Sequence, residues 1–329
     1  MGVDRMKIPN VMKTAAIDHF GPPSAIKVYQ QPVPKPGPGE VLIRLDTAGV
    51  GSWDTAIRDG SWRPPGRTKF PVVLGTDGAG VVVAKGARVR RFRVGDRVYA
   101  YEFGNPKGGF YAEYVAAKSE HAARVPRRLD PLQAGAAAPT GLTALQGIDA
   151  MLHLRRGQTV LIFGASGAVG TIAVQLAKRR GARVLATASG RRAAMLVRRL
   201  GASAVVDARR NDVADRLRKL APEGIDAALA FAGGESLERC LDLIRPGGPV
   251  AFPNGIEPAP PRRRKTIRRI AYDMTASPRW FKRLERSIAE APIHVPIAAV
   301  FPLTQAAKAH ERLARGQILG RIVLRVHRT

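Results

Sequence analysis

Short hydrophobic runs separated by glycine and proline fill the first third of the chain. Between Met12 and about Ala117, runs such as VLIRLDTAGV, GAGVVVAKG and VGDRVYAY alternate with turn-forming clusters such as PKPGPGE. Short strands bounded by turn residues are typical of a β-rich, barrel-like domain. The pattern therefore predicts such a domain within residues 1–137.

From about Gln158 to Pro253 the pattern changes, and short apolar runs alternate with amphipathic segments. The runs are TVLIF, RVLAT, AVVD, DAALAFA and PVAFP. After Gly167 the apolar residues have the spacing of one helix face; they are Val169, Ile172, Ala173, Leu176 and Ala177. Strands that alternate with helices predict an α/β fold, a doubly wound parallel sheet with helices on both faces. We assign this domain to residues 138–272.

The C-terminal segment, residues 273–329, is predicted to return to the first domain. It contains a helical pattern, LTQAAKAHERLARG, and then a single strand, RIVLRV. Because one strand cannot form a stable sheet alone, we expect it to pair with the strands of the β-rich domain.

The composition is that of a globular protein with about two domains, since 45% of the 329 residues are hydrophobic and 24% are charged. The only cysteine, Cys240, excludes a disulfide framework, a thiolate zinc site and a Cys-x-x-Cys redox centre. No hydrophobic run approaches the roughly 18 residues that cross a membrane. The first eleven residues lack the apolar segment of a secretory signal, so we expect a cytoplasmic protein.

A glycine-rich turn, GASGAVG, directly follows the TVLIF run and opens the amphipathic helix. A phosphate approaches the backbone only where no Cβ blocks it, and the N–H groups at a helix N-terminus attract its charge. We therefore predict that this turn binds a dinucleotide, through Gly164, Ser166, Gly167, Ala168, Val169 and Gly170. The alternative is a purely structural strand-to-helix turn of another α/β protein.

The end of the second strand, RVLAT, indicates which dinucleotide binds. An Asp or Glu usually stands there in enzymes that use NAD, because it binds the ribose hydroxyls. Here Ser189, Arg191 and Arg192 follow the strand, and they suit a 2′-phosphate. The alternative is that both arginines are solvated residues of the next helix. We predict NADPH as the cofactor.

From about Met12 to its end the chain resembles the medium-chain dehydrogenase/reductase superfamily, and more closely its zinc-free quinone oxidoreductase branch. The segments that carry the resemblance are GPPSAIKV, PGPGEVLIRLDTAGV, IRDG, FPVVLGTDGAGVV, VGDRVYA, GGFYAEYV, PTGLTALQGI, GASGAVGTIAVQLAKRRGA, GGPVAF and FPLTQAAKAHERLARGQILGRIVLRV. The resemblance implies a GroES-like catalytic domain, a Rossmann domain, and a homodimer formed through the edges of the Rossmann sheets.

The residues at the zinc positions of the superfamily indicate the branch. Its zinc alcohol dehydrogenases use a cysteine after the AGV segment, a histidine in a Gly-His-Glu triplet and a later cysteine near the domain junction. Those places hold Gly51, the triplet Gly75-Thr76-Asp77 and alanines around Ala137. No metal site is expected. The resemblance therefore implies hydride transfer from NADPH to a quinone or an α,β-unsaturated carbonyl compound.

The resemblance also assigns site residues. It puts Thr143 beside the nicotinamide, and Asn254 and Gly255 over the cofactor. It puts Trp62 at the mouth of the cleft, where an aromatic face suits a flat acceptor.

Asp54 and Tyr111 complete the candidate catalytic group. For Asp54 and Thr143 the alternative is the capping of a helix. For each aromatic residue the alternative is a place in the hydrophobic core.

Basic residues outnumber acidic ones by 54 to 26, which gives a formal net charge of +28. The densest run, PRRRKTIRR, spans Arg262 to Arg269, and RWFKRLER begins at Arg279. Basic runs near aromatic residues are typical of nucleic-acid binding, and ζ-crystallins of this branch bind RNA, so a nucleic-acid partner is one alternative function. An enoyl-thioester reductase with an anionic acceptor is another. Because the charge is spread along the whole chain, we favour the small-molecule oxidoreductase.

Overall fold

The computed structural model describes residues 7–63, 66–260 and 266–327. These residues contain three β-sheets. The strands are β1 (Val11–Ile17), β2 (Ile26–Pro32), β3 (Glu40–Val50), β4 (Val72–Val73), β5 (Asp77–Lys85), β6 (Arg97–Tyr101), β7 (Tyr114–Lys118), β8 (Ala122–Arg124), β9 (Thr159–Phe163), β10 (Arg183–Thr187), β11 (Ala204–Val206), β12 (Ala227–Ala230), β13 (Pro249–Pro253), β14 (Arg268–Tyr272), β15 (Ile297–Pro302) and β16 (Arg321–Arg325). The α-helices are α1 (Ser52–Asp59), α2 (Pro131–Gln146), α3 (Ala168–Arg179), α4 (Arg191–Arg199), α5 (Val213–Leu220), α6 (Glu235–Leu241), α7 (Pro278–Glu290) and α8 (Ala306–Ala314).

The β-rich domain is built around the long strand β3. Its main sheet has the order β15-β16-β3-β5-β6-β8, and β7 also pairs with β3. A smaller sheet has the order β2-β1-β4. The last strand of the chain, β16, runs antiparallel to β3, with Ile322 opposite Val50. The C-terminal segment therefore returns to the first domain.

The second domain contains a six-stranded sheet with the order β11-β10-β9-β12-β13-β14, in which every pair is parallel. Along β9, Val160 and Ile162 belong to one core, and Leu161 and Phe163 to the other. Both faces of the sheet are covered, which is why its strands are continuously hydrophobic. The expected doubly wound Rossmann sheet is confirmed.

One strand of this sheet was missed. The sequence pattern ends the sheet at PVAFP, but β14 adds a sixth strand at its edge. Two arginines, Arg268 and Arg269, interrupt the apolar pattern of β14. The C-terminal end of the basic run is therefore part of the sheet. Residues 261–265, which carry most of that run, lie outside the described residues.

Helix α2 lies between the two domains. Asp130 caps its first turn by accepting a hydrogen bond from the amide of Gln133 at 2.8 Å. A side chain at Gly135 would overlap Thr47, and one at Gly141 would come within 2.8 Å of Leu284, so these glycines permit close packing on both sides. The predicted boundary between residues 137 and 138 falls inside this helix, and the domain ranges remain predictions.

Among the described residues, no helix has the length and apolar character to cross a membrane.

Candidate active-site cleft

The glycine-rich turn lies between β9 and α3 and is held by the neighbouring strand. Gly164 adopts the left-handed conformation, with φ +79°, which glycine tolerates best. Its amide donates a hydrogen bond to Oγ1 of Thr187, at 2.9 Å, at the end of β10. Ala168 and Val169 begin α3, so their N–H groups have no partner within the helix. The turn thus presents donors beyond the carboxyl end of the sheet.

Two glycines of this turn differ in the space around them. A Cβ at Gly167 would meet only the carbonyl oxygen of Gly164, at 3.6 Å, which is an ordinary contact. A Cβ at Gly170 would overlap that carbonyl and come within 2.7 Å of Ala165 Cα. Gly170 is therefore needed for packing of the helix against the turn, whereas the space at Gly167 is free for a ligand.

The end of β10 carries exposed polar residues: Ser189, Arg191 and Arg192. A further cation, Arg209, reaches the same edge from the end of β11. A Cβ at Gly190 would lie 3.3 Å from its guanidinium. Arg209 also donates a 2.9 Å hydrogen bond to Asp207, and this bond lowers the pKa of the carboxyl to about 2. Sequence analysis missed Arg209, although parallel neighbouring strands bring their carboxyl ends together.

A cleft of about 570 Å³ separates the two domains. The first domain lines it with Trp53, Trp62 and Tyr101, and the other side includes Thr143 and Asn254. Three residues chosen from the sequence, Trp62, Thr143 and Asn254, are therefore brought together. Their roles in catalysis and cofactor binding stay predictions.

The wall on the Rossmann side is fixed by hydrogen bonds. The hydroxyl of Tyr272 donates to the carbonyl of Thr143 at 3.0 Å. Nδ2 of Asn254 donates to Asp273 at 2.9 Å. Gly255 has φ +86°, and a Cβ there would lie 3.2 Å from the ring of Trp53. The close approach of this loop to Trp53 narrows the cleft.

Aromatic rings line the opposite wall. The Phe103 ring packs edge-on against Trp62, with centroids 4.4 Å apart, and against Trp53 at 5.4 Å. Phe103 was not identified from the sequence, because no spacing rule links a loop residue to a cleft. The three rings offer apolar surface to a flat ligand.

The structure does not bring Asp54 or Tyr111 into this cleft. Tyr111 is fully buried in the β-rich core, with its hydroxyl 3.1 Å from Nε2 of His310. Asp54 is also fully buried and accepts a 2.7 Å hydrogen bond from the amide of Gly51, which caps α1. The interpretation of both as groups that touch the acceptor is therefore corrected. Asp54 has the capping role that was its alternative.

Asp54 nevertheless belongs to an unusual buried pair with Asp77. Nη2 of Arg321 donates to Oδ1 of Asp77 at 2.6 Å. Burial, and secondarily the charge of Asp77, raises the pKa of Asp54 to about 7. Burial raises the pKa of Asp77 to about 6, against the effect of Arg321. The guanidinium of Arg321 thus lies near two carboxyl groups, those of Asp54 and Asp77, whose pKa values are raised.

The two domains also meet at the glycine-rich turn. The amide of Gly320 donates a 3.0 Å hydrogen bond to the carbonyl of Ser166. The next residue, Arg321, contacts Asp77. Two adjacent residues therefore join the turn to the buried carboxylate pair.

Comparison with known proteins gives matches along almost the whole chain. Residues 37–127 match the alcohol dehydrogenase GroES-like domain, and residues 168–263 match the zinc-binding dehydrogenase family. A quinone oxidoreductase of Pseudomonas aeruginosa is 32% identical over 321 residues, which cover 93% of this chain and 97% of that protein. A solved NAD-dependent alcohol dehydrogenase superposes with a TM-score of 0.89 at 30% identity, covering 96% of this chain and 100% of that one. A mycobacterial protein complexed with NADPH gives 0.85 at 28% identity, with the same coverage.

Proposed function

The chain belongs to the medium-chain dehydrogenase/reductase superfamily, in its quinone oxidoreductase branch, and we propose that it transfers hydride from NADPH to a quinone or an α,β-unsaturated carbonyl compound. The observation that carries this proposal is the interdomain cleft. Thr143 and Asn254 lie on its Rossmann side, and the rings of Trp53 and Trp62 on the opposite wall suit a flat acceptor.

The residues at the Rossmann side fit NADPH. Free space at Gly167 and the N–H groups of α3 suit the pyrophosphate. Exposed Ser189, Arg191 and Arg192 suit a 2′-phosphate, and Arg209 adds a fourth polar group. When bound, the nicotinamide supplies the hydride from its C4 atom. The related mycobacterial structure that contains NADPH supports this choice.

The residues at the zinc positions of the superfamily do not fit a zinc ion. Gly51 has no side-chain donor, and a Cβ there would lie 3.3 Å from the Arg321 guanidinium. That cation already binds Asp77. Cys240 is a buried residue of α6, and burial raises the pKa of its thiol to about 12. Because these residues do not fit a zinc ion that would polarise the acceptor, the acceptor must itself be electrophilic.

The contribution of the chain is then orientation and exclusion of water. Trp53 and Gly255 narrow the cleft from opposite domains, and Thr143 is 9% exposed beside them. Holding donor and acceptor in a reactive geometry lowers a barrier by several kcal/mol without a specialised acid or base.

A homodimer is the proposed assembly. Strand β14 is the last strand of the parallel sheet, so it has a neighbour on one side only among the described residues. Such an edge offers backbone donors and acceptors to a second copy. Light scattering of the purified protein is expected to give twice the 35.4 kDa mass of one chain. A mass of one chain would refute the assembly.

The central experiment is titration with NADPH and NADH, followed by turnover with a panel of quinones and enones. We expect NADPH to bind more tightly than NADH and at least one acceptor class to oxidise it. NADPH binding without turnover on any acceptor would refute the reaction. No binding of either nucleotide would refute the site.

A further inference from the structure

Tyr101 is a polar residue of the cleft to which the proposed function gives no role. It ends β6 and lines the cleft with Thr143. Among the described residues, its hydroxyl has no hydrogen-bond partner. Tyr99, two residues earlier, also lacks one, but its hydroxyl is sealed in the core. A half-buried tyrosine that lines the cleft is available to a ligand.

Two other polar side chains of the cleft, Asn254 and Glu102, are already engaged. Asn254 donates to Asp273. Glu102 accepts a 2.8 Å hydrogen bond from the amide of Lys118, and the ring of His121 lies 3.8 Å from the same carboxylate oxygen. Tyr101 therefore brings to the cleft a donor that can meet a carbonyl oxygen.

The surroundings of Tyr101 keep its proton in place. In the β5–β6 ladder Tyr101 is directly opposite Asp77, so the two side chains are on the same face of the sheet. Burial, and then the charges of Asp77 and Asp54, raises the pKa of Tyr101. The group is consequently a neutral O–H donor throughout the physiological range, and Arg321 offsets part of the negative charge behind it.

We propose that the Tyr101 hydroxyl donates a hydrogen bond to the carbonyl oxygen of the acceptor and stabilises the negative charge that develops there as the hydride arrives. This inference rests on the proposed function. With an enone, the hydride forms a C–H bond at the β-carbon, and the electron pair of the C=C bond moves through the α-carbon to the carbonyl oxygen.

The hydrogen bond from Tyr101 stabilises the charge on that oxygen, and Tyr101 keeps its own proton. A proton from the solvent of the cleft then completes the enol, which becomes the ketone in water. The sum is reduction of the enone by two electrons from NADPH with one proton from water.

The test is Tyr101→Phe in the full-length enzyme, assayed with NADPH and an enone that the wild type reduces. Loss of one preorganised donor typically lowers kcat by about 10²-fold or more. We expect such a loss with an unchanged Kd for NADPH. The KM for the enone is expected to change far less than kcat, a split that a loss of packing alone would not produce.

Tyr99→Phe is the matched control, since it removes the same atom from the same strand at a site inside the core. It is expected to keep the wild-type kcat and the wild-type KM. If Tyr101→Phe also keeps both, the assignment is overturned while the proposed function stands. If the wild type binds NADPH but reduces no enone or quinone, the proposed function fails, and the assignment fails with it.

Discussion

The buried pair of Asp54 and Asp77 makes stability depend on pH in a direction opposite to that of most carboxyl groups. Asp54 has a pKa of about 7 in the folded protein and an ordinary value of 3.8. The folded state therefore holds one more proton than the unfolded state between these values, so stability falls as pH rises from about 4 to 7. Asp54→Asn mimics the protonated form, and its amide oxygen can still accept from Gly51.

The size of the effect follows from the pKa of Asp54. From pH 5 to the folded-state pKa of about 7 is two units, and each unit corresponds to about 1.4 kcal/mol. Between pH 5 and pH 8.5 the wild type is thus expected to lose about 3 kcal/mol of unfolding free energy that Asp54→Asn does not lose. The free energy of unfolding of Asp54→Asn, relative to that of the wild type, therefore increases only as the pH rises.

Urea unfolding at pH 5 and pH 8.5 measures this difference. The control is Asp59→Asn, which makes the same change at an exposed position of the same helix. For the control, the difference from wild type is expected to be the same at both pH values. If Asp54→Asn behaves like the control, the carboxyl is ionised in the fold at pH 5 and the reasoning about the pair is wrong.

The nucleotide turn gives two further predictions. A Cβ at Gly167 has space in the free protein, so Gly167→Val is expected to fold and to lose NADPH binding, which fluorescence titration measures. A Cβ at Gly170 overlaps the turn, so Gly170→Ala is expected to lower the unfolding temperature, which calorimetry measures. Wild-type affinity for NADPH in Gly167→Val would contradict the site. Replacing Arg191 and Arg192 together by alanine is expected to raise the Kd for NADPH about 10-fold or more, at about 1.4 kcal/mol per factor of ten, and to leave that for NADH unchanged. An equal effect on both nucleotides would refute the 2′-phosphate assignment.

The Rossmann domain was largely predictable because its signals are local. The helix face that begins at Val169 and the glycines before it lie within one strand-turn-helix unit, so a short stretch of sequence is enough to predict them. Helix α3 has the expected position. Arg209 was not identified from the sequence, because its position depends on non-local pairing. Its place beside Gly190 depends on β10 and β11 being neighbours, which no local pattern expresses.

In the β-rich domain the sequence indicated strands but not which side chains meet. Tyr111 was chosen because aromatic residues suit a flat acceptor, yet it lies in the core. Tyr101 was passed over because it is the end of an ordinary apolar run. Tyr101 is placed by the pairing of β6 with β5, whereas Tyr111, in the loop before β7, is placed by backbone hydrogen bonds to Ala15 and Leu74. Such pairings join separate segments of the chain, so no local pattern expresses them.

The contact between Asp77 and Arg321 illustrates this limit most clearly. The two residues are 244 positions apart and meet only because β16 and β5 flank β3. Between them on β3 is Gly49, where a Cβ would overlap Asp77 and lie 2.8 Å from the guanidinium. A one-residue slip of β16 would turn Arg321 to the other face and leave Asp77 without its cation. The glycine in β3 is therefore the one local sign of the ion pair, and it acquires that meaning only once the register is known.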